Sequence, residues 1–191
     1  NLTGYQEVFT DPSYLGQIVT MTAPMIGNYG VNREDLESGK PQVQGIIVRE
    51  SSREFSNWRA SGSLEDWLGA HKVPVLEGVD TRRLTRHIRS AGAMRGLLAE
   101  GPGPTDLARS SLAASPSMEG LDLASVATSK HEHAVGKPDA RYHVVAYDFG
   151  MKENILRMFE SLDCRVTVVP AQTPSGRVRE LEPDGLFLSN G

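Results

Sequence analysis

The 191-residue chain has few of the features that mark secreted, membrane or nucleic-acid-binding proteins. It contains one cysteine, Cys164, so an internal disulfide is excluded and a reducing compartment such as the cytoplasm is expected. It has no apolar run long enough to span a bilayer and no secretory signal pattern at its start, so no membrane partner is expected. Its 20 basic and 24 acidic residues give a net charge of −4, which argues against a general affinity for nucleic acid.

The length allows one or two domains, and the first part of the chain predicts short strands and helices in an irregular order. Strands are predicted at residues 18–21, 43–49 and 94–99, and helices at 64–71, 81–90 and 105–114. Ser63 is the expected N-cap of the first helix, and Gly92 is expected to end the second. Trp58 and Trp67 are expected to pack rather than to form stacking platforms. Because a helix does not follow every strand, this part is predicted to be a mixed α+β domain.

The last third of the chain predicts a regular βαβαβ order. Strands are predicted at 142–147, 165–169 and 185–188, with helices at 152–162 and 176–181. Continuous apolar runs alternating with helices indicate an α/β fold with parallel strands covered on both faces. The polar residues 131–142, which include Gly136 and Pro138, predict a linker between domains at 1–130 and 143–191. Residues 148–150, 170–173 and 189–191 should converge at the carboxyl ends of the strands as a candidate ligand site.

Several motifs together resemble one known family. They are TGYQEVFTDPSYLGQIVTMTAPMIGNYG at residues 3–30, GVDTRRLTRHIR, AMRG, VVAYDFGMKENILR, CRVTVVPAQT and PDGLFLSNG. In this order they resemble the small, glutamine-hydrolysing subunit of carbamoyl-phosphate synthase: its N-terminal domain and the start of its class I glutamine amidotransferase domain. The resemblance implies that the parent subunit hydrolyses glutamine and supplies ammonia to a large subunit, which makes carbamoyl phosphate from bicarbonate and ATP for pyrimidine and arginine synthesis. The DFG at residues 148–150 also occurs in kinases, but no other kinase motif accompanies it.

The resemblance implies catalysis by a cysteine at a strand-to-helix elbow, activated by a histidine that a carboxylate orients. Cys164 stands directly before a predicted strand and lacks the glycine-flanked turn of such an elbow, so we predict a buried structural thiol. No catalytic residue is therefore assigned within the chain. The family pattern continues beyond both ends, so we expect an internal fragment, or part of a longer subunit, that does not hydrolyse glutamine by itself.

The resemblance implies two glutamine-binding residues. Ser13 in TDPSY matches a family serine that contacts glutamine, and Gly191 in SNG matches a glycine whose backbone contacts the same ligand. Each has an alternative: Ser13 could satisfy the backbone of its turn, and Gly191 could end its strand. His131 and His133 lack further ligands nearby, so no metal site is expected. No glycine-rich phosphate loop is present, so no cofactor is expected in this chain, and the resemblance implies ATP and Mg²⁺ only in the large subunit.

A helix rich in arginine is the candidate surface for a partner. Arg82, Arg83, Arg86 and Arg89 follow one another at spacings that place several of them on one face. The face could be a solvated surface or a docking surface, and the resemblance suggests contact with the large subunit. A non-catalytic docking or assembly module is therefore the main alternative function. Another class I amidotransferase is a further alternative, less favoured because TDPSY and the first domain are not general features of that superfamily.

Overall fold

The computed structural model describes residues 4–101, 103 and 105–190, which separate by contact density into two units. Residues 4–10 and 16–121 belong to the first unit, and residues 11–15 and 122–190 belong to the second. The second unit therefore includes a short turn from near the start of the chain. Contact density alone does not define folding domains, so the limits 1–130 and 143–191 stay a prediction.

The first unit contains two small parallel sheets and four helices among its described residues. In chain order these elements are α1 (Tyr5–Thr10), β1 (Ile18–Thr20), β2 (Met25–Ile26), β3 (Gly45–Ile47), β4 (Glu50–Ser51), α2 (Leu64–Ala70), β5 (Val75–Leu76), α3 (Thr81–Ala91) and α4 (Asp106–Ala114). One sheet has the order β1-β3-β5, and the other pairs β2 with β4. The mixed α/β character predicted for this part is confirmed.

Helices α2 and α3 begin and end where the sequence predicts. The Ser63 hydroxyl accepts a hydrogen bond from the backbone N–H of Asp66 and caps α2. At the end of α3, the Gly92 N–H donates to the Ile88 carbonyl at 2.8 Å. Gly92 has a φ of 87°, a backbone conformation that favours glycine, so the stop signal in the sequence has a direct cause.

The strand predicted at residues 94–99 is wrong, because this segment has no regular secondary structure. Its apolar residues contact the sheet through side chains instead. A Cβ added at Gly45 of β3 would lie 2.6 Å from a methyl carbon of Leu98, so this leucine covers the bare backbone of the strand. Met94 and Leu97 stay 49% and 45% exposed. In sequence, an apolar segment that packs against a sheet looks the same as an apolar strand that belongs to the sheet.

The TGYQE and GNYG motifs bind each other within the first unit. The buried Tyr5 hydroxyl donates to the Gly30 carbonyl at 2.6 Å, and the Tyr29 hydroxyl accepts from the N–H groups of Gly4 and Tyr5 at 2.8 and 3.1 Å. The two tyrosine rings stack with centroids 4.1 Å apart. Burial raises the pKa of both phenols above the ordinary value, so both remain protonated at neutral pH.

Gln6 adds a second connection between these motifs. Its side chain is fully buried and forms two hydrogen bonds with the backbone of Asn32: the amide oxygen accepts from the Asn32 N–H at 2.9 Å, and the amide nitrogen donates to the Asn32 carbonyl. The Asn32 side chain donates to Asp35, which pairs with Arg59 at 2.9 Å. A continuous chain of polar contacts therefore runs from α1 to the turn at Arg59.

The prediction that Trp58 packs is wrong, since its side chain is 92% exposed. The turn that carries it is nevertheless ordered. The Arg59 N–H donates to the Asn57 side-chain oxygen at 3.1 Å, and the Ala60 N–H donates to the Asn57 carbonyl at 3.0 Å. Trp67, by contrast, packs against His71, with ring centroids 4.9 Å apart.

Replacing Trp58 with alanine should leave stability almost unchanged. Because the indole loses almost no exposure on folding, Trp58→Ala should change the free energy of unfolding by no more than about 0.5 kcal/mol. Urea unfolding followed by circular dichroism measures this. Trp67→Ala is the matched comparison and should destabilise more, because it removes a packed ring. Equal losses for the two variants would contradict the exposed position of Trp58.

The second unit is built on one four-stranded sheet. Its elements are a 3₁₀ turn (Pro12–Tyr14), α5 (Ala124–Ala127), β6 (His133–Val135), β7 (Tyr142–Asp148), α6 (Glu153–Ser161), β8 (Cys164–Pro170), α7 (Ser175–Glu180) and β9 (Gly185–Leu188). The strand order is β6-β8-β7-β9, with β7 parallel to both β8 and β9 and β6 antiparallel to β8. The predicted βαβαβ order is confirmed. Strand β6 was not predicted, because it lies in the segment interpreted as a linker and two of its three residues are exposed.

Both faces of the parallel strands β7 and β8 are covered, as their apolar runs predict. On one face Ala146 of β7 clusters with Val168 and with Leu156 of α6. On the other face Val145 clusters with Val169 and with Val178 of α7. Successive side chains of β7 point to opposite faces of the sheet. Because an apolar cluster lies on each face, the sequence of β7 is nearly continuously apolar.

Strand β9 is one of the two outer strands of this sheet among the described residues, and its outer edge is unpaired there. Leu186 and Leu188 are 56% and 61% exposed. Among the helices that the structure describes, none has the length and apolar character needed to cross a membrane.

Candidate functional site

The carboxyl ends of β7, β8 and β9 meet at one edge of the sheet, because the three strands are parallel. The Phe149 N–H, just after β7, donates to the Ser189 hydroxyl, just after β9, at 2.9 Å. The Tyr147 hydroxyl donates to the Thr173 carbonyl, after β8, at 2.8 Å. The predicted convergence of these three segments is therefore confirmed as far as residue 190, and Gly191 lies outside the described residues.

Asp148 organises the loop that follows β7. One carboxylate oxygen accepts from the N–H groups of Gly150 and Met151 at 2.9 and 2.8 Å. The other accepts from the N–H of Ser129 at 2.8 Å and from its hydroxyl. Because the side chain is only 7% exposed and receives four hydrogen bonds, its role in this chain is to fix two segments at the sheet edge.

The turn that carries Ser13 is attached to the same loop. One carboxylate oxygen of Asp11 accepts from the Ser13 N–H at 2.9 Å, and the other pairs with the Lys152 ammonium at 2.8 Å. A Cβ added at Gly150 would lie 3.3 Å from the Pro12 Cβ, so the turn packs directly on this glycine. Gly150 has a φ of 109°, which a residue with a side chain rarely adopts. Close packing and backbone conformation therefore both favour glycine here.

Ser13 itself is exposed at this edge. In this turn the Tyr14 N–H donates to the Asp11 carbonyl and the Leu15 N–H to the Pro12 carbonyl, both at 3.0 Å. The turn that carries Ser13 and the Ser189 hydroxyl therefore both contact the loop at 149–150. The glutamine-binding roles of Ser13 and Gly191 stay predictions.

The segment after α5 supplies further contacts that the sequence did not reveal. The Thr128 hydroxyl accepts from the Ala171 N–H at 2.9 Å, next to the Ser129 contact with Asp148. No sequence pattern indicates the contacts of Thr128 and Ser129, because a hydroxyl in an irregular segment has many possible partners. The sequence did not reveal the Asp11–Lys152 pair either.

Cys164 lies at the opposite end of the sheet. It is 9% exposed, begins β8, and is paired in register with Tyr142 at the start of β7. Seven residues of strand separate it from the candidate edge by roughly 20 Å. A thiol in this place cannot reach a ligand at Ser13. The predicted burial of Cys164 is confirmed, and its structural role stays a prediction.

The described residues contain no cluster of three or more His, Cys, Asp or Glu side chains that could hold a metal ion. His133 lies on β6, where its ring is exposed and contacts the His131 carbonyl. The polar groups described at the candidate edge are hydroxyls, backbone N–H groups, the Asp148 carboxylate and the Asp11–Lys152 pair. Groups of this kind bind a small polar ligand.

Comparison with known proteins agrees with this arrangement. Residues 1–98 match the family model of the carbamoyl-phosphate synthase small chain, CPSase domain, and residues 145–191 match that of class I glutamine amidotransferases. Similar curated proteins include the carbamoyl phosphate synthase small chains of Akkermansia muciniphila, 52% identical, Syntrophotalea carbinolica, 46%, and Chlorobaculum tepidum, 47%. Each alignment covers all of this chain and 54%, 54% and 52% of the relative, so the chain spans about half the length of these proteins. By these matches the chain belongs to the carbamoyl-phosphate synthase small chain family.

Proposed function

We propose that this chain is part of the glutaminase subunit of glutamine-dependent carbamoyl-phosphate synthase, and that its sheet edge binds glutamine. One observation carries the proposal. The Ser13 turn and the Ser189 strand end both contact the loop at 149–150, so segments from distant parts of the sequence meet at this loop. The match to the small chain family model supports the same reading.

In this proposal the chain orients the substrate and performs no covalent step. The Ser13 hydroxyl donates to the carboxylate of glutamine or accepts from its ammonium, and the backbone of Gly191 allows close approach. Asp11 and Lys152 position the serine by holding its turn on Gly150. The thiolate that attacks the side-chain amide does not come from Cys164, and residues 1–191 alone should not turn over glutamine.

The proposal includes a partner and a place of action. Ammonia released from glutamine is used by a large chain, which would carry ATP and Mg²⁺ and form carbamoyl phosphate from bicarbonate. The pair would act in the cytoplasm in pyrimidine and arginine synthesis. The match to the small chain model over residues 1–98 supports this enzyme over other class I amidotransferases. A non-catalytic docking role is the second candidate function, and the arginine-rich helix α3 is the observation that favours it.

Replacing Ser13 with alanine in the full-length small chain, paired with its large chain, tests the glutamine site. Loss of one hydrogen bond to a charged ligand group should raise KM for glutamine roughly 10- to 100-fold. Synthesis driven by added ammonia should not change, because that reaction does not use this site. Ser110→Ala, on the surface of α4, is the control and should leave both reactions intact.

Two results would contradict the proposal. An unchanged KM for glutamine in Ser13→Ala would remove the serine from the binding site. A loss of the ammonia-driven reaction equal to the loss of the glutamine-driven one would indicate a defect in assembly instead.

A further inference from the structure

We propose that an arginine stripe on α3, formed by Arg82, Arg86 and Arg89, docks on an acidic protein surface. This inference rests on the proposed function for the identity of the partner, the large chain. It adds the surface involved and the chemistry that the partner must present, which is a group of Asp and Glu carboxylates. Arg83 lies to one side of these three residues and is not part of the arginine stripe.

The three arginines share a face because they are four and three residues apart in an α-helix. All three are exposed, whereas Leu84 and Ile88, on the other side of the helix, are half-buried. One face of α3 therefore packs on the rest of the first unit, and the arginine face is exposed to solvent.

The helix presents these side chains from a fixed base. The Asp80 carboxylate accepts from the Arg83 N–H at 3.0 Å and caps the first turn. The Gly92 N–H closes the last turn on Ile88, and Thr81 is buried at the start of the helix. Since both ends are capped, the spacing of the three residues along the helix backbone is set before any partner arrives.

The stripe differs from Arg59 and Arg177, whose guanidinium groups already pair with carboxylates of this chain. Arg59 bridges Glu34 and Asp35, and Arg177 bridges Glu132 and Glu180. Among the described residues, the side chains of the stripe form no ion pair or hydrogen bond with a carboxylate. Helix α3 itself contains no acidic residue.

Charge complementarity favours an acidic protein surface over nucleic acid as the partner. The chain carries a net charge of −4, so its overall field repels a polyanion such as DNA, while a local stripe of three charges can pair with a few carboxylates. Arginine suits this role because its planar guanidinium binds a carboxylate through two parallel hydrogen bonds. The stripe also lacks the interleaved aromatic residues of single-strand binding surfaces.

The test measures association of the full-length small chain with its large chain by titration at two salt concentrations. Arg86→Glu/Arg89→Glu should weaken association by about tenfold or more at low salt, because it places like charges against the acidic surface. The unaltered protein should lose affinity as salt rises, and the variant should depend on salt much less. Arg53→Glu/Arg109→Glu, at two exposed arginines outside α3, makes the same change in net charge and should bind like the unaltered protein.

Each alternative outcome is distinguishable. Equal affinity of the unaltered protein and the α3 variant would overturn the inference and leave the proposed function standing. Absence of association by the unaltered protein would overturn both. Binding to a duplex DNA that is tighter than binding to the large chain, and lost in the α3 variant, would identify the stripe as a nucleic-acid site instead. Arg86→Gln/Arg89→Gln, with circular dichroism, separates lost charge from a misfolded helix, because Glu near the end of α3 opposes the helix dipole.

Discussion

Replacing Gln6 with leucine is expected to lower the free energy of unfolding of the first unit by about 3 kcal/mol. Leucine fills a similar volume but leaves the N–H and carbonyl of Asn32 without partners in a site where Gln6 has no exposed surface. Each unpaired buried backbone group costs about 1–3 kcal/mol. Because whole proteins are stable by only about 5–15 kcal/mol, the change is a large fraction of the total. Urea titration followed by circular dichroism measures it.

Two further variants decide whether hydrogen bonding or packing causes the loss. Gln44→Leu, at an exposed position, makes the same chemical change and should cost little. Gln6→Glu keeps the shape but sets a carboxylate oxygen against the Asn32 carbonyl, so it should destabilise at neutral pH. Part of that loss should disappear at acid pH, where a protonated carboxyl can again donate to the carbonyl. A stability of Gln6→Glu that does not vary with pH would be inconsistent with this explanation.

Features of the fold that depend on local chemistry could be predicted from the sequence. The cap at Ser63 and the stop at Gly92 need only their immediate neighbours in the chain, and both were located correctly. The parallel strands β7 and β8 were also predicted, because burial on both faces requires long β-branched runs such as the one in β8. Local signals and tertiary packing agree in these segments.

Features that depend on distant partners could not be predicted. Helix α1 lies in a segment that sequence patterns interpret as turns, and its helical form accompanies the bonds of Tyr5 and Gln6 to residues more than 20 positions away. Strand β6 forms because β8 offers an edge, although its own residues are exposed. The apolar run at 94–99 covers a sheet that it does not join. In each case a tertiary contact outweighs the local pattern.

The candidate site also has features that the sequence predicts and features that it does not. The parallel order of the strands predicted that residues 148–150, 170–173 and 189–191 meet at one edge, and the structure confirms this as far as residue 190. The attachment of that turn to Gly150 and Lys152 joins residues about 140 positions apart. No pattern in a single sequence indicates such a pairing, and only the structure revealed it.

Replacing Asp148 with alanine is expected to cost the second unit about 3–5 kcal/mol and to detach the loop at 149–151 from the sheet edge. The carboxylate receives hydrogen bonds from Gly150, Met151 and both donors of Ser129, and bonds to a charged acceptor contribute about 1.5–3 kcal/mol each. Ser129→Ala removes one donor only and should cost much less. Hydrogen exchange at the Gly150 and Met151 amides measures the local effect, which should be a large loss of protection.

The control is Asp122, which accepts hydrogen bonds from the N–H and hydroxyl of Ser125 in the same manner but at an exposed site. These bonds lower the pKa of Asp122, yet water replaces them readily, so Asp122→Ala should change stability little. In the paired enzyme, Asp148→Ala should also raise KM for glutamine, because the Ser13 turn packs on Gly150 within the detached loop. Full amide protection in Asp148→Ala would mean that packing of Pro12 against Gly150, rather than the carboxylate, fixes this edge.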